Sequence, residues 1–318
     1  MKIWIRRLLI GFVAAVVLLG AAAAYLLHAP KPPVPARPVE LVTTEYGGRV
    51  RTYAIVAPAF QQPGAGVLLV FHRSQSSGSE MRRIVGGLLE RIAERDNVIV
   101  VYPDGYECHF NDCRRVASYS ARALAVDDTG FARHIVERLV AERDVDARRV
   151  YALGDSNGAH MTIRLALEAP ELIAGIVAIG AGIPAADNMD CRSVAALPRR
   201  VVLVAGTEDP INPYEGGPVT LFGFGNRGEV LSAQESAGWF ADGLGIGTAF
   251  VSAPMVASGL TTRHQDWIAT EGRVRLFTIE GGGHTIPQAA YRFPRIFGAT
   301  FQSDAILEST WRFLAEGN

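Results

Sequence analysis

The sequence predicts an α/β domain in which a mostly parallel sheet is covered by helices on both faces. Three observations predict it. Short apolar runs recur at 66–71, 98–101, 150–153, 173–179, 201–205 and 274–279, as in strands buried on both faces. Segments with helical spacing separate these runs, and strand–helix alternation is the pattern of a parallel sheet. One junction, Gly154-Asp155-Ser156-Asn157-Gly158, joins an apolar run to a helical stretch through a G-x-S-x-G turn.

In chain order, the first 30 residues are of another kind. Lys2, Arg6 and Arg7 precede an apolar run over 8–27. Twenty helical residues span about 30 Å, enough for the hydrocarbon core of a bilayer. A signal peptide cleaved after Ala21-Ala22-Ala23 is one reading. An uncleaved anchor with its basic end in the cytoplasm is the other, favoured by Tyr25-Leu26-Leu27 continuing the run. Both readings export the rest of the chain, to the periplasm or exterior. Residues 29–39 then carry Pro30, Pro32, Pro33, Pro35 and Pro38. This composition predicts an extended spacer reaching roughly 30 Å, outside the fold. The division is therefore 1–28 signal anchor or signal peptide, 29–39 linker, and 40–318 one catalytic domain.

Within that domain, 51–58 alternates and predicts an early strand, followed by the buried strand at 66–71. Residues 81–95 have helical spacing, and 98–101 is a strand. A helix is predicted over 128–143, with Phe131, Ile135, Leu139 and Val140 on one face and Asp128 as its cap. The strand 150–153 leads through the Ser156 turn into a helix over 159–168. Strands at 173–179 and 201–205, a helix over 231–244 and a strand at 274–279 follow. A closing helix over 305–314 turns Trp311 inward.

Hydrophobic content of 49% and charged content of 20% supply ample core material. A net charge of −1 argues against an electrostatic claim on nucleic acid. The three cysteines form no C-x-x-C motif, so a structural zinc is not expected. In an exported chain, Cys108 and Cys113 are expected to close a small disulfide loop, leaving Cys191 odd. Asp127-Asp128 reads as a helix start rather than a metal site. His72 reads as a satisfied histidine near the core. The Gly- and aromatic-rich stretch 214–227 is a candidate pocket wall.

Ser156 stands where a strand ends and a helix begins, a placement that exposes a serine hydroxyl over the positive end of the helix. It needs a base, and the base needs an orienting carboxylate. In this kind of turn the partners follow in the order Ser, Asp or Glu, His. Of the seven histidines, His28, His72, His109 and His134 precede the serine, and His160 follows within one helical turn. His264 lies in a polar stretch with no strand feeding it. His284 follows the 274–279 strand and a Gly281-Gly282-Gly283 turn, and is the expected base. Glu208 or Asp209, after the 201–205 strand, is the expected acid; Asp242 is a poorer candidate. The oxyanion donors are expected to be the backbone N–H of Asn157 and a main-chain group of Arg73 or Ser74, in the loop after the 66–71 strand.

Further motifs complete the pattern. They are Tyr102-Pro103-Asp104-Gly105, Val126-Asp127-Asp128, Ser156-Asn157-Gly158, Gly206-Thr207 with Asp209-Pro210 and Pro213-Tyr214, and Gly281-Gly282-Gly283-His284. Together, over about 51–314, the chain resembles the polyhydroxybutyrate depolymerase and feruloyl esterase group of the α/β-hydrolases. The resemblance implies the α/β-hydrolase fold, with Ser156 as nucleophile, Asp209 rather than Glu208 as acid, and His284 as base. The sequence departs from the group at Arg73, where Gly is usual, and at Asp155, where an apolar residue is common. It departs again at Ala159-His160 and at Ile286.

The expected activity is hydrolysis of carboxylic esters through an acyl-enzyme, without a cofactor. The substrate is a small or oligomeric ester (hydroxyalkanoate, feruloyl, acetyl or similar), and Arg73 is expected to favour an anionic one. The alternatives are a serine peptidase on the same fold and a non-catalytic binding module tethered to the membrane.

Overall fold

The computed structural model describes residues 2–192, 200–247, 249–270 and 272–315. Helix α1 (Lys2–Leu27) precedes an antiparallel hairpin of β1 (Glu40–Tyr46) and β2 (Arg49–Val56). Strand β3 (Ala65–Phe71), helix α2 (Gly78–Asp96) and strand β4 (Val98–Pro103) follow. The short α3 (Ser120–Ala123) and then α4 (Asp128–Arg143) lead to β5 (Val145–Asp155), α5 (Asn157–Glu168), β6 (Gly175–Ile179) and β7 (Arg200–Gly206). A two-residue ribbon, β8 (Gly217–Pro218) with β9 (Glu229–Val230), precedes α6 (Ala233–Gly243). The chain continues through β10 (Ala249–Val251), β11 (Met255–Ala257), β12 (Leu260–Ile268) and β13 (Arg273–Glu280). A 3-10 turn (Arg295–Phe297) and α7 (Ala305–Ala315) complete it.

Eleven strands form one sheet in the order β1-β2-β4-β3-β5-β6-β7-β13-β12-β10, with β11 beside β12. The centre, from β4 to β13, is parallel, and both edges are antiparallel. Side chains of the central strands alternate between two cores. Val67, Leu69 and Phe71 face α4, α5 and α6, whereas Leu68 and Val70 face α2 and α7. Every residue of β3 is buried, and each buried aliphatic side chain there contributes about 1.5–3 kcal/mol. The continuous apolar runs are the consequence: no face of these strands meets water.

Several expectations need correction. Asp127, not Asp128, caps α4, its Oδ1 accepting the Gly130 N–H at 2.8 Å. Asp128 is already helical and turns inward to a buried ion pair with Arg51 at 2.6 Å. Val140 is exposed, and Val136 takes the inward place beside Ile135 and Leu139. The stretch around His264 is a strand, β12, paired with β13 along its length. Its polar residues fit because it lies near an edge, where one face meets solvent.

The proline-rich segment is not a free spacer. Pro35 packs on α2 at Gly86, where an added Cβ would stand 2.9 Å from the proline ring. Arg82 donates to the Arg37 carbonyl at 2.7 Å, and Arg37 pairs with Glu94 at 2.6 Å. The bare backbone of Gly86 opens the groove that the proline fills.

The disulfide joins Cys113 to Cys191, not to Cys108. Cys108 is the free, exposed cysteine, at positive φ in a surface turn. Cys113 is buried, and its carbonyl accepts from the Asp190 N–H at 2.9 Å, which brings Cys191 alongside. Nearness in sequence is outweighed by the direction in which the chain turns.

Candidate active site

The sequence-predicted site residues converge at the carboxyl ends of β3, β5, β7 and β13. In open α/β sheets, this end is where ligands bind. Ser156 lies between β5 and α5 with φ 57° and ψ −114°, a strained conformation that a non-glycine residue keeps only when its surroundings enforce it. They do so here by close packing. A Cβ on Gly154 would lie 2.1 Å from the Gly158 carbonyl oxygen, and one on Gly158 would lie 2.2 Å from that of Phe71. Both flanking positions therefore require glycine. The Ser156 N–H is held by the Ile179 carbonyl at 2.9 Å.

His284 follows β13 and is buried, its N–H donating to the Phe297 carbonyl at 2.7 Å. Its Nδ1 lies 2.7 Å from Asp209 Oδ2. The other carboxylate oxygen, Oδ1, accepts the N–H groups of Ile211 and Asn212, each at 2.8 Å. Asp209 is thus fixed on both sides, whereas Glu208 is exposed. The imidazole rests over Gly180, where a Cβ would come within 3.1 Å of the ring. Ser156 and His284 line one pocket of about 230 Å³, with Arg73, Ser74 and Gln75 from the loop after β3. Ile211, Leu221, Phe222, Arg227 and Phe297 line it too, so part of the 214–227 stretch is pocket wall. Leu27, at the end of α1, reaches the same pocket, and Arg295 holds α1 there by stacking on Tyr25 at 4.3 Å.

Two departures from the usual family pattern prove to be one feature. Arg73 Nε pairs with Asp155 Oδ2 at 2.5 Å, and both side chains are largely buried. The Arg73 guanidinium also stacks on Phe293 at 4.4 Å and lies 3.5 Å from the His284 carbonyl. Its charge is balanced by Asp155, so it does not stand free for an anionic substrate as expected.

Sequence reasoning missed what the Asn157 side chain does. Its Nδ2 donates to the Phe110 carbonyl at 2.9 Å and to Asp112 Oδ2 at 2.7 Å, while its Oδ1 accepts the Phe110 N–H at 2.8 Å. The loop carrying Cys113 is clamped to the start of α5 in this way. Asp112 pairs with Arg114 at 2.6 Å and accepts from the Tyr119 hydroxyl. Burial pushes the Asp112 carboxyl up, yet the Arg114 guanidinium outweighs it and holds the group well below the usual carboxylate range. His160 is buried beside this network. Burial first, and then the Arg114 charge, push its pKa well below that of a free imidazole. His72 is buried with both ring nitrogens engaged, Nδ1 donating to the Arg73 carbonyl at 2.7 Å and Nε2 accepting the Gly105 N–H at 2.9 Å.

No family model matches the chain. It is 30% identical over 308 residues to "Putative esterase NocK" of Nocardia uniformis subsp. tsuyamanensis, covering 90% of this chain and 86% of that protein. It is 25% identical over 173 residues to feruloyl esterase B of Piromyces equi, covering 51% of this chain and 31% of that protein. Among solved structures, an acetyl xylan esterase from Aspergillus awamori superposes with a TM-score of 0.51 at 15% identity. That match covers 82% of this chain and 94% of the other, and shows a shared fold. By its sequence kinship to NocK and its fold, the chain belongs to the esterases of the α/β-hydrolase type and is a carboxylic ester hydrolase.

Proposed function

We propose that the enzyme is a serine esterase in which Ser156, His284 and Asp209 form the catalytic triad. The observation that carries this reading is the Asp209–His284 contact at 2.7 Å, beside a pocket that Ser156 also lines. With Nδ1 held by Asp209, His284 has Nε2 left for the serine proton. Ser156 Oγ attacks the ester carbonyl carbon and its proton passes to His284. The tetrahedral oxyanion is met by the Asn157 N–H and a main-chain group of Arg73 or Ser74. The C–O bond breaks, His284 returns the proton to the departing alcohol, and the acyl group stays on Ser156. Water then enters, gives a proton to His284 and releases the acid by the reverse sequence. Asp209 holds the imidazole tautomer and stabilises the imidazolium throughout. The substrates of this reading are soluble esters or oligomers, such as hydroxyalkanoate, feruloyl or acetyl esters.

Helix α1 is long and apolar enough to cross a membrane, with a mean hydropathy of 2.4 over its most apolar 18 residues and none of those residues buried. Kept uncleaved, it anchors an exported enzyme, and Leu27 at the pocket puts the entrance beside the membrane surface. The test of the triad is Ser156→Ala, with turnover of a p-nitrophenyl ester expected to fall at least about 10⁴-fold. Labelling by a fluorophosphonate probe should vanish while the far-UV circular dichroism stays unchanged. Turnover and labelling both surviving in that variant would remove the serine mechanism.

A further inference from the structure

The charged groups around the pocket are paired, with one exception. Arg73 has Asp155, His284 has Asp209, and Arg114 has Asp112. Arg227 lines the pocket with Ser156 and His284, and among the described residues its guanidinium has no ion pair or hydrogen bond. It is half-buried, so this is not a cation lost in solvent; burial and then the nearby Arg114 charge push its pKa down, opposed in smaller part by Tyr119 and Asp112. A guanidinium carries five donors in a rigid fork suited to a carboxylate. Leaving such a group partly dehydrated and without a protein partner costs free energy, which a bound anion recovers.

The wall that carries Arg227 is fixed. Its N–H donates to the Val219 carbonyl at 2.9 Å, and its carbonyl accepts from Asn188 Nδ2 at 3.0 Å. Asn188 is itself buried and receives the Val116 N–H on Oδ1 at 3.1 Å. Close by, the Cys113–Cys191 bridge ties the 188–191 segment to the loop beneath Asn157. The same pocket has apolar walls that include Ile211, Leu221, Phe222 and Phe297. They suit an uncharged chain lying between the cation and the reacting carbonyl.

We propose that Arg227 binds a carboxylate of the substrate, so that the preferred esters are monoanions. The carboxylate has two possible sources. It belongs either to the acyl side, as in a half-ester of a dicarboxylic acid, or to the alcohol side, as at the free acid end of a hydroxy-acid oligomer. The inference rests on the esterase reading for its substrate class, and its failure is separable from the failure of that reading.

The test compares two matched pairs of esters. The mono-4-nitrophenyl ester of adipic acid is set against its neutral amide, and 4-carboxyphenyl butyrate against 4-carbamoylphenyl butyrate. The enzyme should prefer the anion in one pair, which identifies the source. Arg227→Gln should lower kcat/KM for that anion about 10–100-fold, mostly through KM. The loss on the matched neutral ester should be at least about fivefold smaller, and Arg227→Lys should recover part of the loss on the anion. Equal losses on both members of a pair, or no change on either anion, would overturn the inference. Binding gives an independent readout. In Ser156→Ala protein, at least one anion of the two sources (monomethyl adipate for the acyl side, 4-carboxyphenyl butyrate for the alcohol side) should raise Tm where its neutral counterpart (dimethyl adipate, 4-carbamoylphenyl butyrate) does not. The added Arg227→Gln should abolish the difference. An absence of Arg227-dependent stabilisation sinks the inference even where turnover is intact. Arg227-dependent stabilisation in a protein whose wild type hydrolyses no ester upholds it and sinks the serine esterase reading alone.

Discussion

Two arginines border the same pocket and their surroundings are opposite. Arg73, on the loop after β3, lies against Asp155, two phenylalanine rings and the His284 backbone. Arg227, on the loop between β8 and β9, has apolar walls and, among the described residues, no ion pair of its own; the carboxylate acting on it, Asp112, is already paired with Arg114. A buried cation that is fully engaged acts as scaffold, here linking the serine turn to the histidine loop. One that is left unengaged is available to a ligand. The contrast makes a stability prediction. Arg73→Met strands the Asp155 carboxylate in a buried site and should cost about 3–5 kcal/mol in urea unfolding. Arg73→Met with Asp155→Leu should recover most of that loss, because an apolar pair replaces an ion pair at little net cost. Arg227→Met should cost under about 0.5 kcal/mol, or stabilise. Similar losses from the two single arginine variants would erase the distinction between them.

The disulfide sharpens the same comparison, because it stands on the Arg227 side. It closes a loop with a sequence separation of 78 between its cysteines. Replacing both Cys113 and Cys191 by serine should therefore cost about 2–5 kcal/mol. The Asn188 platform under Arg227 should loosen with it, raising KM for anionic esters while kcat on neutral esters changes little. If KM rises equally for charged and neutral esters, the bridge supports the whole pocket and not that wall.

What can be read from the chain follows a physical line. Strands β3, β4, β6, β7 and β13 lie in the sheet interior, so their apolar runs mark them by composition. The Ser156 turn is legible because only glycine fits at 154 and 158. His284 follows from chain order and the strand that precedes it. The same reasoning leaves Glu208 and Asp209 open, and only the family resemblance selects Asp209, whose side chain is in contact with His284. Contacts between distant segments have no such signal. Arg73 and Asp155 are 82 residues apart, and their pairing is visible in the sequence only as two separate departures from a family pattern. That both departures introduce charge, of opposite sign, is the available clue. Strands β10 and β11 escape a reading by apolar runs because each is only three residues long, and β12 because a strand near a sheet edge mixes in polar residues such as Thr261, Arg263 and Gln265. The Cys113–Cys191 pairing requires knowing which way the 108–113 turn faces.

The smallest predicted effect concerns the charges between the two arginines. His160 is buried, and Arg114, Arg227 and His284 all disfavour its protonation, opposed only by Asp112. His72 is also lowered by burial, opposed chiefly by its bond to the Arg73 carbonyl. Both folded-state values lie below the unfolded value near 6.5. The unfolded chain therefore binds more protons as pH falls. Stability from these groups is complete above about pH 6.5 and declines below it, by up to about 1.4 kcal/mol per pH unit for each group. His160→Gln should remove about one proton from the slope of unfolding free energy against pH between about 6 and 5. Arg227→Gln should raise the His160 pKa, since one repelling charge is gone, and flatten the slope slightly. An anionic ester analogue bound to Ser156→Ala protein should do the same, because a carboxylate on Arg227 cancels the same charge. NMR titration of the His160 ring reads both shifts. If the analogue leaves that ring unmoved while Arg227→Gln shifts it, the carboxylate does not sit on Arg227, and the contrast between the two arginines is one of packing alone.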